Sequence, residues 1–178
     1  MKKSLLLLVV AIFTLTTAFE ASAKWTDRNT FNLKGPVKAV QDKNNGNLYF
    51  EEDGTYILSE DWEEVSRDEY GRIESVGADM QGTYYTYNNN KQVKSTSYLA
   101  GNSYSSETSY FYNTKGQIIK TIETTANHSV LGDEYNWHEK TTTTYTYQKF
   151  DKYGNWIKRT AKTGKKRTVE TRTITYYK

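Results

Sequence analysis

The chain has 178 residues, 24 basic and 21 acidic side chains for a net charge of +3, no cysteine, one proline, four tryptophans and 16 tyrosines. That is about one domain's worth of sequence. The missing cysteines exclude disulfides, thiolate chemistry and a lipidated cysteine anchor, and the near-balanced charge gives no ground for a specific nucleic-acid partner.

In chain order, residues 1–23 read as a signal peptide. Lys2 and Lys3 form the positive n-region, residues 5–13 the apolar h-region, and Ala21-Ser22-Ala23 the cleavage site. The apolar run is short for a bilayer span. Cleavage after Ala23 leaves a mature chain of net charge +2 that does not span the membrane, in the periplasm or secreted to the cell surface. Residues 24–34 have no strong period and read as a lead-in segment, and residues 35–178 as the domain proper.

Strands are predicted at 37–41, 47–51, 55–60, 61–67, 72–81, 83–88, 91–100, 103–113, 117–125, 137–150, 155–163 and 167–177. Tyr and Thr alternate along them, as half-buried strands require. In 137–150, Thr141, Thr143, Tyr145 and Tyr147 share one face, and Thr142, Thr144 and Thr146 the other. Residues 126–136 form an irregular loop. The connections are short, so sequential strands are expected to pair as an antiparallel meander.

One unit recurs along this plan. An aromatic residue ends a strand, glycine follows at +4, and an apolar or aromatic residue at +6 opens the next strand. Phe50-Glu-Glu-Asp-Gly54-Thr-Tyr56, Tyr112-Asn-Thr-Lys-Gly116-Gln-Ile118 and Phe150-Asp-Lys-Tyr-Gly154-Asn-Trp156 fit in full. Arg67 to Ile73 keeps Gly71 but lacks the aromatic, and Tyr87 to Val93 has Lys91 in place of glycine. A type I turn followed by one residue at positive φ explains the spacing, because glycine takes that conformation without a Cβ clash. Asp or Asn at +1 can fold its side chain onto the turn. In the variant unit, either Lys91 becomes left-handed or Asn90 takes that role.

These motifs, over roughly residues 48–160, resemble the YD repeat of RHS-type bacterial proteins and their short exported relatives. The resemblance implies long strands in a curling antiparallel sheet, and glycan binding as a role. It supplies no catalytic residues, and a few units cannot form the cargo-enclosing shell of the large relatives. The expected fold is all-β, an antiparallel meander of about 10–12 strands curled into a single sheet or open half-barrel. A two-layer sandwich is the alternative.

Charge is lopsided: residues 48–82 carry a net −9 and residues 149–178 a net +8. The basic end, with Lys165, Lys166 and Arg167, either grips an anionic envelope polymer or simply guards an edge against aggregation. Trp62, Tyr85, Tyr104, Trp137 and Trp156 are candidates for stacking on sugar rings, although most aromatics must build the core. Gly54, Gly71, Gly116 and Gly154 are structural turn residues.

Catalytic and metal signals are poor. His128 and His138, with Asp133, Glu134 and Glu139 nearby, lack the convergence that a metal site needs. No nucleophile elbow is present, and residues 77–83 mimic a phosphate loop without its lysine. The expectation is an exported, non-catalytic, cofactor-free binding module for a glycan or anionic envelope polymer. Alternatives are a structural protein pairing with another envelope protein, a small outer-membrane barrel, or an enzyme.

Overall fold

A computed structural model describes residues 25–43, 46–58, 63–78, 81–101, 104–127 and 137–178. Residues 1–24, with the stretch read as a signal peptide, lie outside them, as do Trp62, His128, Asp133, Glu134 and part of the 77–83 stretch.

A short helix α1 (Asp27–Thr30) precedes twelve strands: β1 (Val37–Asp42), β2 (Gly46–Phe50), β3 (Tyr56–Ile57), β4 (Glu64–Arg67), β5 (Ile73–Ala78), β6 (Gln81–Tyr87), β7 (Val93–Ala100), β8 (Tyr104–Tyr112), β9 (Ile118–Asn127), β10 (Trp137–Phe150), β11 (Trp156–Thr163) and β12 (Lys166–Tyr176). They form one antiparallel sheet in the order β3-β2-β1-β12-β11-β10-β9-β8-β7-β6-β5-β4. The protein is therefore all-β and a single sheet, not a two-layer sandwich. The expected alternation holds along β10, where Thr142, Thr144 and Thr146 are exposed while Thr143, Tyr145 and Tyr147 are half-buried.

In one respect the meander differs from expectation. The sequence neighbours β3 and β4 do not pair; they are the two edges of the sheet, which is not closed into a barrel. Instead β1 pairs with β12, with Val40 opposite Ile174 and Asp42 opposite Arg172. Tyr177 reinforces this union of β1 and β12, its hydroxyl donating to the Phe50 carbonyl at 2.7 Å.

The lead-in segment is an interior plug. Asn29 Oδ1 accepts from the Thr26 N–H at 2.8 Å, a capping contact that starts α1. Leu33 packs with Val37, Val40 and Phe50 in the main buried cluster, against Phe31, Leu48, Tyr56, Ile174 and Tyr176. Phe31 reaches both Tyr56 on β3, at 5.1 Å between centroids, and Tyr85 on β6, at 6.5 Å. One ring thus touches strands on both sides of the seam between the edges. Buried Arg28 donates to the carbonyls of Val37 at 2.8 Å and Glu51 at 2.6 Å. A polar lead-in carries these groups because the backbone ends it covers need donors and acceptors.

On β11, Trp156 stacks with two guanidinium groups, Arg159 at 4.1 Å and Arg172 at 4.0 Å. Arg159 also pairs with Glu170 at 2.5 Å. Burial, and then the charge of Arg159, pulls the Arg172 pKa down to about 10.

Candidate functional site

Because the strands alternate in direction, the β2–β3, β4–β5, β6–β7, β8–β9 and β10–β11 turns all fall at one end of the sheet. These are the five recurring units, and their wiring is the same. The +1 N–H donates to the +5 carbonyl and the +4 N–H to the +1 carbonyl, for example Asn113 to Gln117 at 2.9 Å and Gly116 to Asn113 at 3.0 Å. Asp68, Asn88, Asn113 and Asp151 each accept the +3 and +5 N–H groups on one side-chain oxygen. In the β2–β3 turn, Glu51 occupies that position and Asp53 accepts from Thr55 instead.

The +4 residues are all left-handed: Gly54 at φ 96°, Gly71 at 75°, Lys91 at 60°, Gly116 at 76° and Gly154 at 83°. Lys91, not Asn90, takes the positive φ. In every unit the position-0 and +6 residues pair across the hairpin, Tyr112 opposite Ile118 and Phe150 opposite Trp156 among them.

A staircase of tyrosine hydroxyls joins successive units. Tyr87 donates to the Ile73 carbonyl, Tyr112 to that of Val93 and Tyr147 to that of Ile118, each at 2.7 Å. Each accepting carbonyl belongs to the +6 residue of the previous unit. In the last unit two register shifts in β10 put Tyr147, rather than the position-0 Phe150, on this step.

At the turn end, between the plug and the β4–β5, β6–β7 and β8 elements, lies a groove of about 820 Å³. It is lined by the rings of Trp25, Tyr70, Tyr87 and Tyr112, by Arg72 and Lys91, and by the amides of Asn29, Asn32, Asn88, Asn89, Asn90 and Gln92, with Thr30 and Val93. Trp25 meets Tyr87 edge-on at 5.7 Å. Tyr70 is 68 % exposed. Arg72 lies over the Tyr70 ring at 4.9 Å and the Tyr87 ring at 4.3 Å, and its Nε donates to Asp68 at 2.6 Å.

Since the Tyr87 hydroxyl gives its proton to Ile73, its 3.0 Å contact with Thr30 is one in which Thr30 donates. Burial raises the Tyr87 pKa, opposed by the Thr30 hydrogen bond and the charge of Arg72. Chemically the groove offers ring faces, amide donors and acceptors, and two cations. None of its described lining residues is acidic.

The residues singled out from sequence lie in several places. Tyr85 is an interior ring beside Phe31, and burial pushes its hydroxyl well above the ordinary value. Trp156 is held between two arginines on the inner wall. Tyr104, at the opposite end of the sheet, packs edge-on to Tyr98 at 6.2 Å. Tyr104 and Trp137 are both in register with Asn127, so they share one row. Lys165, Lys166 and Arg167 are exposed on the β11–β12 hairpin, also at that far end. Among the described candidates, then, the structure gathers none at the turn-end groove.

The groove aromatics were signalled differently. Tyr87 and Tyr112 are position-0 residues, and Tyr70 stands at +3 of its turn. Trp25 sits in a stretch without periodicity and gave no signal. Among the described residues, no group of three or more His, Asp or Glu side chains is placed to hold a metal, and no helix is long and apolar enough to cross a membrane. Comparisons of the chain with protein-family models and with curated protein sequences find no match.

Proposed function

We propose that this protein is an exported, non-catalytic binding module of the YD-repeat type, and that the turn-end groove is its glycan site. The observation that carries this reading is the groove's combination of aromatic faces and side-chain amides around about 820 Å³, room for a few sugar rings. Sugar rings present apolar C–H faces that stack on aromatic planes and hydroxyls that need polar partners, and this lining supplies both. The shared wiring of the turns supports the repeat reading, because the motif positions are turn and pairing residues.

The test is a glycan array followed by titration of the mature protein, monitored by tryptophan fluorescence. Saturable quenching, weakened by Tyr70→Ala, is the expected result. Flat traces across envelope sugars would end the glycan reading.

The second reading, a structural protein that pairs with another envelope protein, draws on the unpaired edges β3 and β4. It predicts that the mature protein co-purifies with a partner and that substitutions in β4 break the pair without touching sugar binding.

A further inference from the structure

Lys91 breaks the rule of its own repeat. The other four turns place glycine at +4, yet Lys91 holds the same left-handed conformation at φ 60°. Nothing in the turn needs a lysine there, since the flanking hydrogen bonds match those of the glycine turns. A side chain kept in a disfavoured backbone region is a pointer to function when it also faces a site, and Lys91 lines the groove.

A second feature of the groove is independent of that one. Arg72 is held in place by Asp68 at Nε and by the rings of Tyr70 and Tyr87. Because Asp68 engages Nε, the terminal amino groups remain as a planar fork, the geometry that matches a carboxylate in two-point contact. The acidic stretch 48–82 has a net charge of −9 and contributes one wall of the groove, but the residues it places there are Tyr70 and Arg72. Asp68 sits behind Arg72, positioning it, and is not part of the lining.

We infer that the groove selects an acidic glycan of the uronic-acid type, with Arg72 and Lys91 recognising the sugar carboxylates while the aromatic rings take the sugar faces. This rests on the glycan reading above and adds the ligand's charge and the two side chains that read it. The acidic ligand is drawn to the groove by those two cations, and the exposed Lys165-Lys166-Arg167 hairpin at the far end is not required.

The experiment compares tetragalacturonate with its carboxyl-reduced counterpart, which has the same rings and linkages but no charge. Tryptophan fluorescence of the mature protein should show binding about tenfold tighter for the acid, the difference shrinking as salt is raised. Lys91→Gly should weaken the acid severalfold, more than it weakens the neutral oligomer, and raise the melting temperature, because glycine is the residue the turn prefers. Arg72→Gln should remove most of the acid preference.

Equal affinity for the two oligomers would overturn the inference while the glycan reading stands. Unchanged acid binding in Lys91→Gly would overturn the role of Lys91. Binding of neither probe would overturn the inference, and if the glycan array were also blank the glycan reading would fall with it. A purely structural Lys91 would move stability alone, so opposite signs in stability and binding are the decisive signature.

Discussion

Asp27 binds Arg67 across the gap between the two edge strands of the sheet. One carboxylate oxygen takes Arg67 Nη1 at 2.5 Å, and the other takes Arg67 Nη2 and the Tyr56 N–H, each at 2.8 Å. Tyr56 lies in edge strand β3 and Arg67 in edge strand β4, so a side chain from the plug fastens together two edges that share no ladder.

Asp27 is 3 % exposed and Arg67 37 % exposed at the side chain. Removing the buried partner leaves the Tyr56 N–H without that acceptor and takes both carboxylate contacts from Arg67, which keeps the Gly71 carbonyl at 3.2 Å. Asp27→Ala should cost about 2–3 kcal/mol, at or below the lower range for a buried pair because Arg67 is partly solvated. Urea denaturation checks this: the midpoint should fall with little change in slope. Arg67→Met should cost at least as much, since it leaves the buried Asp27 carboxylate in place without its cation.

Gly54 and Gly71 separate two contributions of the recurring glycine. Both have positive φ, so alanine at either should cost about 1 kcal/mol from backbone strain. At Gly71 an added Cβ meets nothing within 4 Å, whereas at Gly54 it would lie 2.7 Å from Thr26 Cβ, in the plug. Gly54→Ala should therefore cost about 3 kcal/mol. Equal losses at the two sites would show that the plug yields freely.

The tyrosine staircase predicts a penalty for each lost hydroxyl. Tyr112→Phe keeps the ring and leaves the Val93 carbonyl without its donor, as does Tyr87→Phe for Ile73. Tyr112→Phe should lower stability by about 1 kcal/mol, and Tyr87→Phe by about 2 kcal/mol because it also takes the acceptor of the Thr30 hydroxyl. Hydrogen exchange should accelerate in the pair of strands that the lost hydroxyl joined.

Stability should form a plateau between acid and alkaline limbs. Burial alone would raise Asp68 and Asp151. It is outweighed at Asp68 by the backbone and side chain of Arg72 and the Tyr70 N–H, and at Asp151 by the Tyr176 hydroxyl and the N–H groups of Asn155 and Tyr153. Both carboxyls therefore titrate below their ordinary value. Their contribution is complete above the unfolded value of about 3.9 and is lost as pH falls through the lower folded values.

The tyrosines run in the opposite sense. Burial raises Tyr85, Tyr110, Tyr112 and Tyr147, and takes Tyr176 up to about 12. Their contribution is complete below about pH 10 and disappears as pH climbs through those folded values. Phenolate absorbance and sheet circular dichroism should change together on the alkaline side, and Asp151→Asn should shallow the acid limb.

The strands and hairpin bends were legible because they rest on local chemistry. Alternating Tyr and Thr set the faces of β10, and glycine at +4 set the turns, with Lys91 conforming to the backbone demand despite its side chain. What the sequence left hidden was non-local. Nothing near residue 24 reveals that Trp25, Asp27, Arg28 and Phe31 fill the curl, since their partners on β3, β4 and β6 are supplied by the fold and follow no helical or strand period. The pairing of β1 with β12 has no turn to announce it. Phe150 fits the motif fully, yet the register shifts beside it give its step to Tyr147. The groove aromatics likewise come from separate turns and from the lead-in, and only the curl brings them together.

The contact between β1 and β12 also constrains when the molecule can take shape. β1, β2 and β3 have no larger sheet to join until β12 is in place, for β12 is their neighbour in the ladder. Hairpins between β4 and β12 can form as the chain emerges, but the amino-terminal strands must wait, and such long-range pairing is slow. The β1–β12 ladder should therefore be among the last to gain hydrogen-exchange protection during refolding.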